Sequence, residues 1–166
     1  TYFRNDLDNL IVFPSPTFTA TNIGSALTAG VEVSGQVELD SDTFLTASYT
    51  NTKTRDNGTR DELLRRPRHK FDATLSRFLH DHQAQISINL RYVGARDDIG
   101  ATARTTLSEY CLLNASAWWQ VSKNVRLFAR VDNITDKQYE DVFGFNTADI
   151  SAYGGVTIAL GGYDGE

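Results

Sequence analysis

Residues 69–94 read HKFDATLSRFLHDHQAQISINLRYVG. Between Gln85 and Tyr92 the residues alternate, with Ile86, Ile88, Leu90 and Tyr92 in one phase and Gln85, Ser87, Asn89 and Arg91 in the other. Phe71, Ala73 and Leu75 alternate with Asp72 and Thr74 in the same way. A period of two marks a strand with one apolar and one polar face. The polar run His80-Asp81-His82 separates the two halves, so the stretch reads as a hairpin. Alternation alone does not say which face is inside. A soluble sandwich buries the apolar face, whereas an outer-membrane barrel turns it to lipid and keeps the polar face on its lumen. The function depends on that choice.

The same pattern extends along the chain in about eight strand-length runs. The first covers 2–13 and stops at Pro14-Ser15-Pro16, because proline lacks the N–H a ladder needs. The second, 25–39, sets Leu27, Ala29, Val31, Val33, Val37 and Leu39 against Thr28, Glu32, Ser34, Gln36 and Glu38. A third run covers 43–54, and the hairpin supplies the fourth and fifth. The sixth is expected over 106–121, the seventh from Asn124 and the eighth over 150–160. Connections alternate between tight (40–42, 80–82, 122–124) and long and polar (14–22, 55–64, 97–105, 144–149). Short turns at one end and long loops at the other are the layout of an outer-membrane barrel. Many runs exceed 10 residues, where strands of globular sheets average about 5–6. Tyr49, Tyr92, Trp119 and Trp118 fall near strand ends, where a girdle of interfacial aromatics belongs.

Bulk properties narrow the classes. Hydrophobic residues make up 40% of the chain and the formal net charge is −5. No apolar run approaches the roughly 20 residues of a membrane helix. The acidic balance argues against nucleic acid as a partner. Cys111 is the single cysteine, a small apolar filler with no internal disulfide partner. A chain that lacks Met and opens on Thr1 in a strand-like run reads as a segment of a longer protein.

The terminal run Tyr153-Gly154-Gly155-Val156-Thr157-Ile158-Ala159-Leu160 has the spacing of an outer-membrane insertion signal, with Ile158 and Leu160 where an aromatic is common. Before it stands Asn133-Ile134-Thr135-Asp136-Lys137-Gln138-Tyr139. This resembles the N-[LI]-x-D-x-x-[YF] element near the end of TonB-dependent outer-membrane receptors. Asp141-Val142-Phe143-Gly144-Phe145, Leu63-Leu64-Arg65-Arg66-Pro67 and Gly30-Val31-Glu32 extend the similarity. Together these motifs look like the C-terminal part of a cobalamin (vitamin B12) receptor of the BtuB type.

The resemblance implies an all-β fold, an antiparallel transmembrane β-barrel in the Gram-negative outer membrane. About eight strands over 1–160 would belong to a barrel of about 22, and 161–166 would be a tail. In that family a plug fills the barrel, TonB pulls on the plug, and the ligand is captured at external loops. The plug, the TonB-contacting segment and the family's calcium-binding loops lie outside this stretch. Residue by residue, Arg65 matches the first Arg of a Leu-Leu-Arg-Arg run that contacts the corrin, and a guanidinium offers fixed donors to amide and phosphate oxygens. Phe145 matches an aromatic of the last external loop, where Tyr is usual. Phe143 and Asn146 are neighbouring candidates. Arg65 and Arg66 fit equally well as a solvated lip that meets lipopolysaccharide phosphates. The expected partners are therefore outer-membrane lipid, lipopolysaccharide, the plug and upstream strands, and TonB. Cobalamin is expected as cargo and not as cofactor.

Other constellations carry less. His80 and His82 share a strand face, yet a tight turn offers no third ligand, so a solvated turn outweighs a metal site. His69 has no nucleophile beside it in sequence. Asp97-Asp98 and Asp40/Asp42 are acidic loop pairs with nothing to mark a catalytic cleft. No enzyme is expected. Three other readings remain at this point: an iron-siderophore receptor, a self-closed eight-stranded mini-barrel, and a soluble sandwich. The mini-barrel requires the first and last strands to pair. The sandwich requires Val31, Val33, Ile86, Ile88 and Leu90 to be buried.

Overall fold

The structure, a computed structural model, describes residues 1–12, 19–22 and 24–160. The Pro14-Ser15-Pro16 stop and the 161–166 tail lie outside the described residues. In chain order the strands are β1 (Tyr2–Asp8), β2 (Ile11–Val12), β3 (Thr21–Asn22), β4 (Ser25–Asp40), β5 (Thr43–Asp56), β6 (His69–Leu79), β7 (Ala84–Val93), β8 (Arg96–Ile99), β9 (Arg104–Leu107), β10 (Tyr110–Ser122), β11 (Val125–Asp132) and β12 (Ser151–Ile158). No helix occurs among the described residues. Eight strands form one sheet in the order β1-β4-β5-β6-β7-β10-β11-β12, every neighbour antiparallel. The ribbons β2-β3 and β8-β9 stand apart, inside two of the long connections.

The register sorts the two faces. Val37, Leu45, Leu75, Ile88, Ala115, Val131 and Ala152 are directly opposite one another across seven strands. Directly opposed residues share a face, so the apolar phases of separate strands merge into one belt. The other face carries rows such as Gln36, Thr46, Thr74, Asn89 and Asn114. The belt is open to its surroundings: Val33, Ile86, Ile88 and Leu90 are between 38% and 60% exposed. The buried apolar side chains among the described residues are few: Ala26, Pro67, Ala84, Leu107, Tyr110 and Leu112. In water, each large belt side chain, already about half buried, would forgo roughly half of the ~1.5–3 kcal/mol that full burial gives. A soluble sandwich would hide these residues, and here they face outward. Lipid supplies the missing apolar surroundings.

The belt has the height of a membrane. Tyr49, Phe71 and Tyr92 form an outward row toward the long-loop end, and Ala84 and Trp119 form one toward the turn end. From Ala84 to Tyr92, at ~3.4 Å per residue and a tilt of ~40°, the rise is about 21 Å, close to the ~25 Å apolar band of such barrels. Trp118 does not belong to this girdle. It neighbours Trp119 on the same strand and so points to the polar face, where its Nε1–H donates to Gln85 Oε1 at 2.6 Å.

The tight connections gather at one end. In the β6–β7 turn, His80, Asp81 and His82 all take positive φ (52°, 53° and 64°). Asp42 N–H donates to Asp40 Oδ1 at 2.9 Å in the β4–β5 turn. Two glycines of the sequence motifs have a packing reason on the polar face. A Cβ at Gly30 would collide with the Asn51 carbonyl oxygen and lie 2.6 Å from the Phe3 ring, and one at Gly155 would collide with the Phe128 ring. Each ring covers the glycine of the neighbouring strand.

Two strand expectations need correction. The first strand breaks after Asp8, because Asn9 adopts a left-handed φ of 58° and donates its N–H to Gly24 O at 2.6 Å. The sixth begins at Tyr110 instead of near Thr106, since 104–107 pair in the β8-β9 ribbon. The sheet is an open arc, as a segment of a larger barrel requires: among the described residues β1 pairs only with β4 and β12 only with β11, so the mini-barrel alternative is not realised.

Candidate ligand-binding site

The long connections, 57–68, 94–109 and 133–150, meet above the polar face. The carboxylate that joins them is Asp98, whose side chain is 0% exposed. Its Oδ1 accepts from Arg65 Nε at 2.8 Å and from its own neighbour's amide, Ile99 N–H, at 2.8 Å. Its Oδ2 accepts from Phe143 N–H at 2.8 Å. One carboxylate thus ties three connections. Burial pushes the carboxyl up, but the two amides and the Arg65 guanidinium outweigh it and hold Asp98 below the usual carboxylate range.

Arg65 sits in an unusual place. Its φ is 59°, a left-handed value that a non-glycine residue adopts at a cost of about 1–2 kcal/mol. Two contacts hold it there: its N–H donates to Asp97 O at 2.7 Å, and its Nε is bound to Asp98. Its side chain is 51% exposed, and its Nη groups make no hydrogen bond among the described residues. Asp97 in turn accepts from Arg104 Nε at 2.8 Å and Thr106 Oγ1 at 2.9 Å, and these bonds lower its pKa.

A second cluster closes the base of the last loop. Arg96, almost fully buried, donates through Nη2 to Asp141 Oδ1 at 2.9 Å and to the Glu140 carbonyl. Tyr110 Oη donates to the same Asp141 oxygen at 2.8 Å. The Tyr110 ring packs on Tyr139 with centroids 4.2 Å apart. Tyr139 closes the Asn133–Tyr139 motif, and the other motif residues have equally local reasons. Asn133, buried at φ 53°, accepts from Lys137 N–H at 2.8 Å and donates to Lys137 O at 3.0 Å. Asp136 Oδ1 accepts from Ile150 N–H at 3.0 Å just before β12. The motif is therefore a turn that fixes the loop between the last two strands.

Beneath these clusters the polar face opens into a cavity of about 580 Å³, whose lining includes Ser48, Thr50, Arg65, Lys70, Arg91 and Arg96. Asp72, held by Arg91 Nε at 3.1 Å and Asn89 Nδ2 at 2.9 Å, lies on its wall. Asn89 also accepts from Asn114 at 3.0 Å, and Asn114 accepts from Asn133 N–H at 2.9 Å. A continuous hydrogen-bonded ladder therefore runs from the loop turn down the luminal wall.

Of the residues singled out from sequence, Arg65 lines this cavity, while Phe143 lines a neighbouring hollow of about 280 Å³. Asp98 joins the two through one residue. Phe145, 69% exposed, and Asn146, also exposed, stand at the loop rim and line neither hollow. Sequence reasoning missed Asp98, Arg96, Asp141 and Tyr110. Asp98 read as half of an acidic loop pair. His80 and His82 remain in their turn, His82 Nε2 lying 3.6 Å from Asp42, and no group of three metal-ligating side chains occurs among the described residues.

Residues 1–134 match the family described as "TonB dependent receptor-like, beta-barrel". The chain belongs to this TonB-dependent receptor barrel family. It is 30% identical, over 89% of its length, to the vitamin B12 transporter BtuB of Vibrio cholerae. It spans 24% of the length of that relative. Among solved structures, a variant of the ferric enterobactin receptor PfeA of Pseudomonas aeruginosa superposes with a TM-score of 0.79 at 20% identity, covering 96% of this chain and 28% of that one. The copper transporter OprC gives 0.79 at 19% identity, covering 95% and 27%. These two establish the fold. The family makes the outward belt a lipid-facing surface of the outer membrane and the polar face a luminal one. Its members named here are transporters and receptors, not enzymes.

Proposed function

We propose that this chain forms wall and external loops of a receptor that takes up cobalamin or a related corrinoid through the outer membrane. The reading rests on the 30% identity to a vitamin B12 transporter across 89% of the chain. Further strands complete the barrel at the open edges of β1 and β12, a plug fills the lumen, and TonB drives passage by pulling on the plug. No bond is made or broken. Cobalamin is captured at the loop end, and the Nη groups of Arg65 meet its amide and phosphate oxygens. Phe145 packs against the flat ring at the rim, with Phe143 and Asn146 beside it. Lipid and lipopolysaccharide surround the belt.

The test is equilibrium binding of labelled cobalamin to the complete receptor in outer-membrane vesicles, with Arg65→Ala beside it. Expected is saturable binding by the wild type and a loss of about tenfold or more on substitution, the worth of a charge-assisted hydrogen bond of roughly 1.5–3 kcal/mol. Absence of wild-type binding, with a ferric catecholate bound instead, would move the receptor to the siderophore class.

A further inference from the structure

We propose that Asp98 is the positioning residue of the ligand site, orienting Arg65 so that its Nη end faces the luminal cavity as a donor pair for ligand oxygens. The inference rests on the reading that the transported ligand meets this end of the wall. Four observations carry it. Asp98 is fully buried, and both its oxygens are satisfied by donors from three connections. It engages the Nε of Arg65 and leaves both Nη groups unbonded among the described residues. Arg65 is kept at a left-handed φ of 59°, and strain of this kind persists only where surroundings over-determine it. Finally, the guanidinium lines a cavity of about 580 Å³ whose lining also holds the donors Ser48, Thr50, Lys70, Arg91 and Arg96, alongside Asp72 and Asp141.

A guanidinium bound through Nε has lost the sideways edge that pairs with most carboxylates. Its remaining Nη1/Nη2 end presents two parallel N–H groups, which suit a planar or tetrahedral oxygen group: carboxylate, phosphate, or a pair of amide carbonyls. Asp98 itself touches no ligand, since its side chain has no exposed surface. It acts by fixing the direction of Arg65 and, through Phe143 N–H, the base of the loop that carries Phe145. Without it Arg65 would swing as a free, entropic side chain, and the last loop would lose its tie to the second.

The experiment uses the complete receptor in outer-membrane vesicles and compares the wild type, Asp98→Asn, Arg65→Ala and the double variant. Labelled cobalamin is the probe, and heat-modifiable migration confirms that each barrel is folded. Both single variants should bind about tenfold or more weakly, and the double variant no more weakly than the worse single. Wild-type affinity in Asp98→Asn, or a double loss equal to the product of the singles, overturns the proposal. If the wild type binds no cobalamin, the corrinoid reading fails by itself, and positioning is read from the loops. Phe143 amide exchange and trypsin cleavage after Arg65 should then be slow in the wild type and at least tenfold faster in Asp98→Asn. Unchanged rates overturn the proposal. Should Asp98→Asn not fold, the exposed Arg65→Ala reports the same coupling through faster Phe143 exchange, and no change there overturns it.

Discussion

The lipid-facing belt and the loop end are built by opposite means. The belt repeats one local rule across seven strands: apart from Arg77 and its partner Thr43 near the turn end, every second residue between the two aromatic rows is apolar or glycine and faces out. Its side chains depend on lipid more than on one another. The loop end has almost no repetition. It rests on single contacts between residues far apart, such as Arg65 with Asp98, 33 residues on, and Arg96 with Asp141, 45 residues on. A belt residue can be exchanged for another of its class, whereas a loop-end residue has one partner. Substitutions should therefore be judged by polarity in the belt and by identity at the loop end.

The largest expected effect tests the belt. Ile88 lies midway between the outward Tyr92 and Ala84 rows, with Leu75 and Ala115 beside it. Ile88→Arg places a charge near the bilayer centre and should cost about 2–4 kcal/mol in reversible unfolding from lipid vesicles. Thr74→Arg, at similar depth on the polar face, should cost far less. Equal costs would mean that the two faces have been assigned the wrong way round. A smaller loss tests the luminal packing. Gly155→Val drives a side chain into the Phe128 ring and should cost ~1–3 kcal/mol, whereas Gly35→Ala meets nothing within 4 Å and should be nearly neutral by the same unfolding measurement.

What was legible in sequence follows the same division. Alternation in 25–39 and 84–93 gave the strands within a residue or so, because a belt residue's environment depends only on its phase. Trp118 and Trp119 show the limit. Adjacent strand residues must face opposite sides, so only Trp119 could join the girdle. Composition drew both toward it, and the period separates them. Asn133 and Asp136 were legible as a motif but not as a turn, since their partners Lys137 and Ile150 are backbone groups without a sequence signature. Asp98 was not legible as a joint, because nothing near it in sequence announces Arg65 or Phe143. The β2-β3 and β8-β9 ribbons were missed for a similar reason: strands of 2 to 4 residues are too short to show a period.

Acid should separate the two regions. Asp98 and Asp97 both have folded-state pKa values below the usual carboxylate range. The stabilisation they give is fully present above the unfolded value of about 4 and fades as pH falls through the lower folded value. The belt holds no comparable group. Backbone amide exchange at Arg65 and Phe143, taken relative to the intrinsic rate at each pH, should therefore accelerate below about pH 4, while the strands stay protected. Simultaneous loss of strand protection would show that the loop ties support the whole wall.

The smallest expected effect on stability falls at the rim. Phe145 is 69% exposed, and among the described residues its one hydrogen bond is its N–H donating to Val142 O at 3.1 Å. Removing the ring breaks no interior contact, so Phe145→Ala should change unfolding free energy by less than about 0.5 kcal/mol. An exposed aromatic that contributes nothing to folding is free to contribute to binding, and a flat ring at the mouth presents an apolar face to a flat ligand. Cobalamin affinity should fall by severalfold in Phe145→Ala and recover in Phe145→Tyr, which restores the ring and adds a hydroxyl. The pair separates roles that the loop end otherwise mixes: Asp98 and Arg65 affect both loop order and binding, whereas Phe145 should affect binding alone. A Phe145→Ala receptor that binds like the wild type would confine the ligand to the cavity below Arg65.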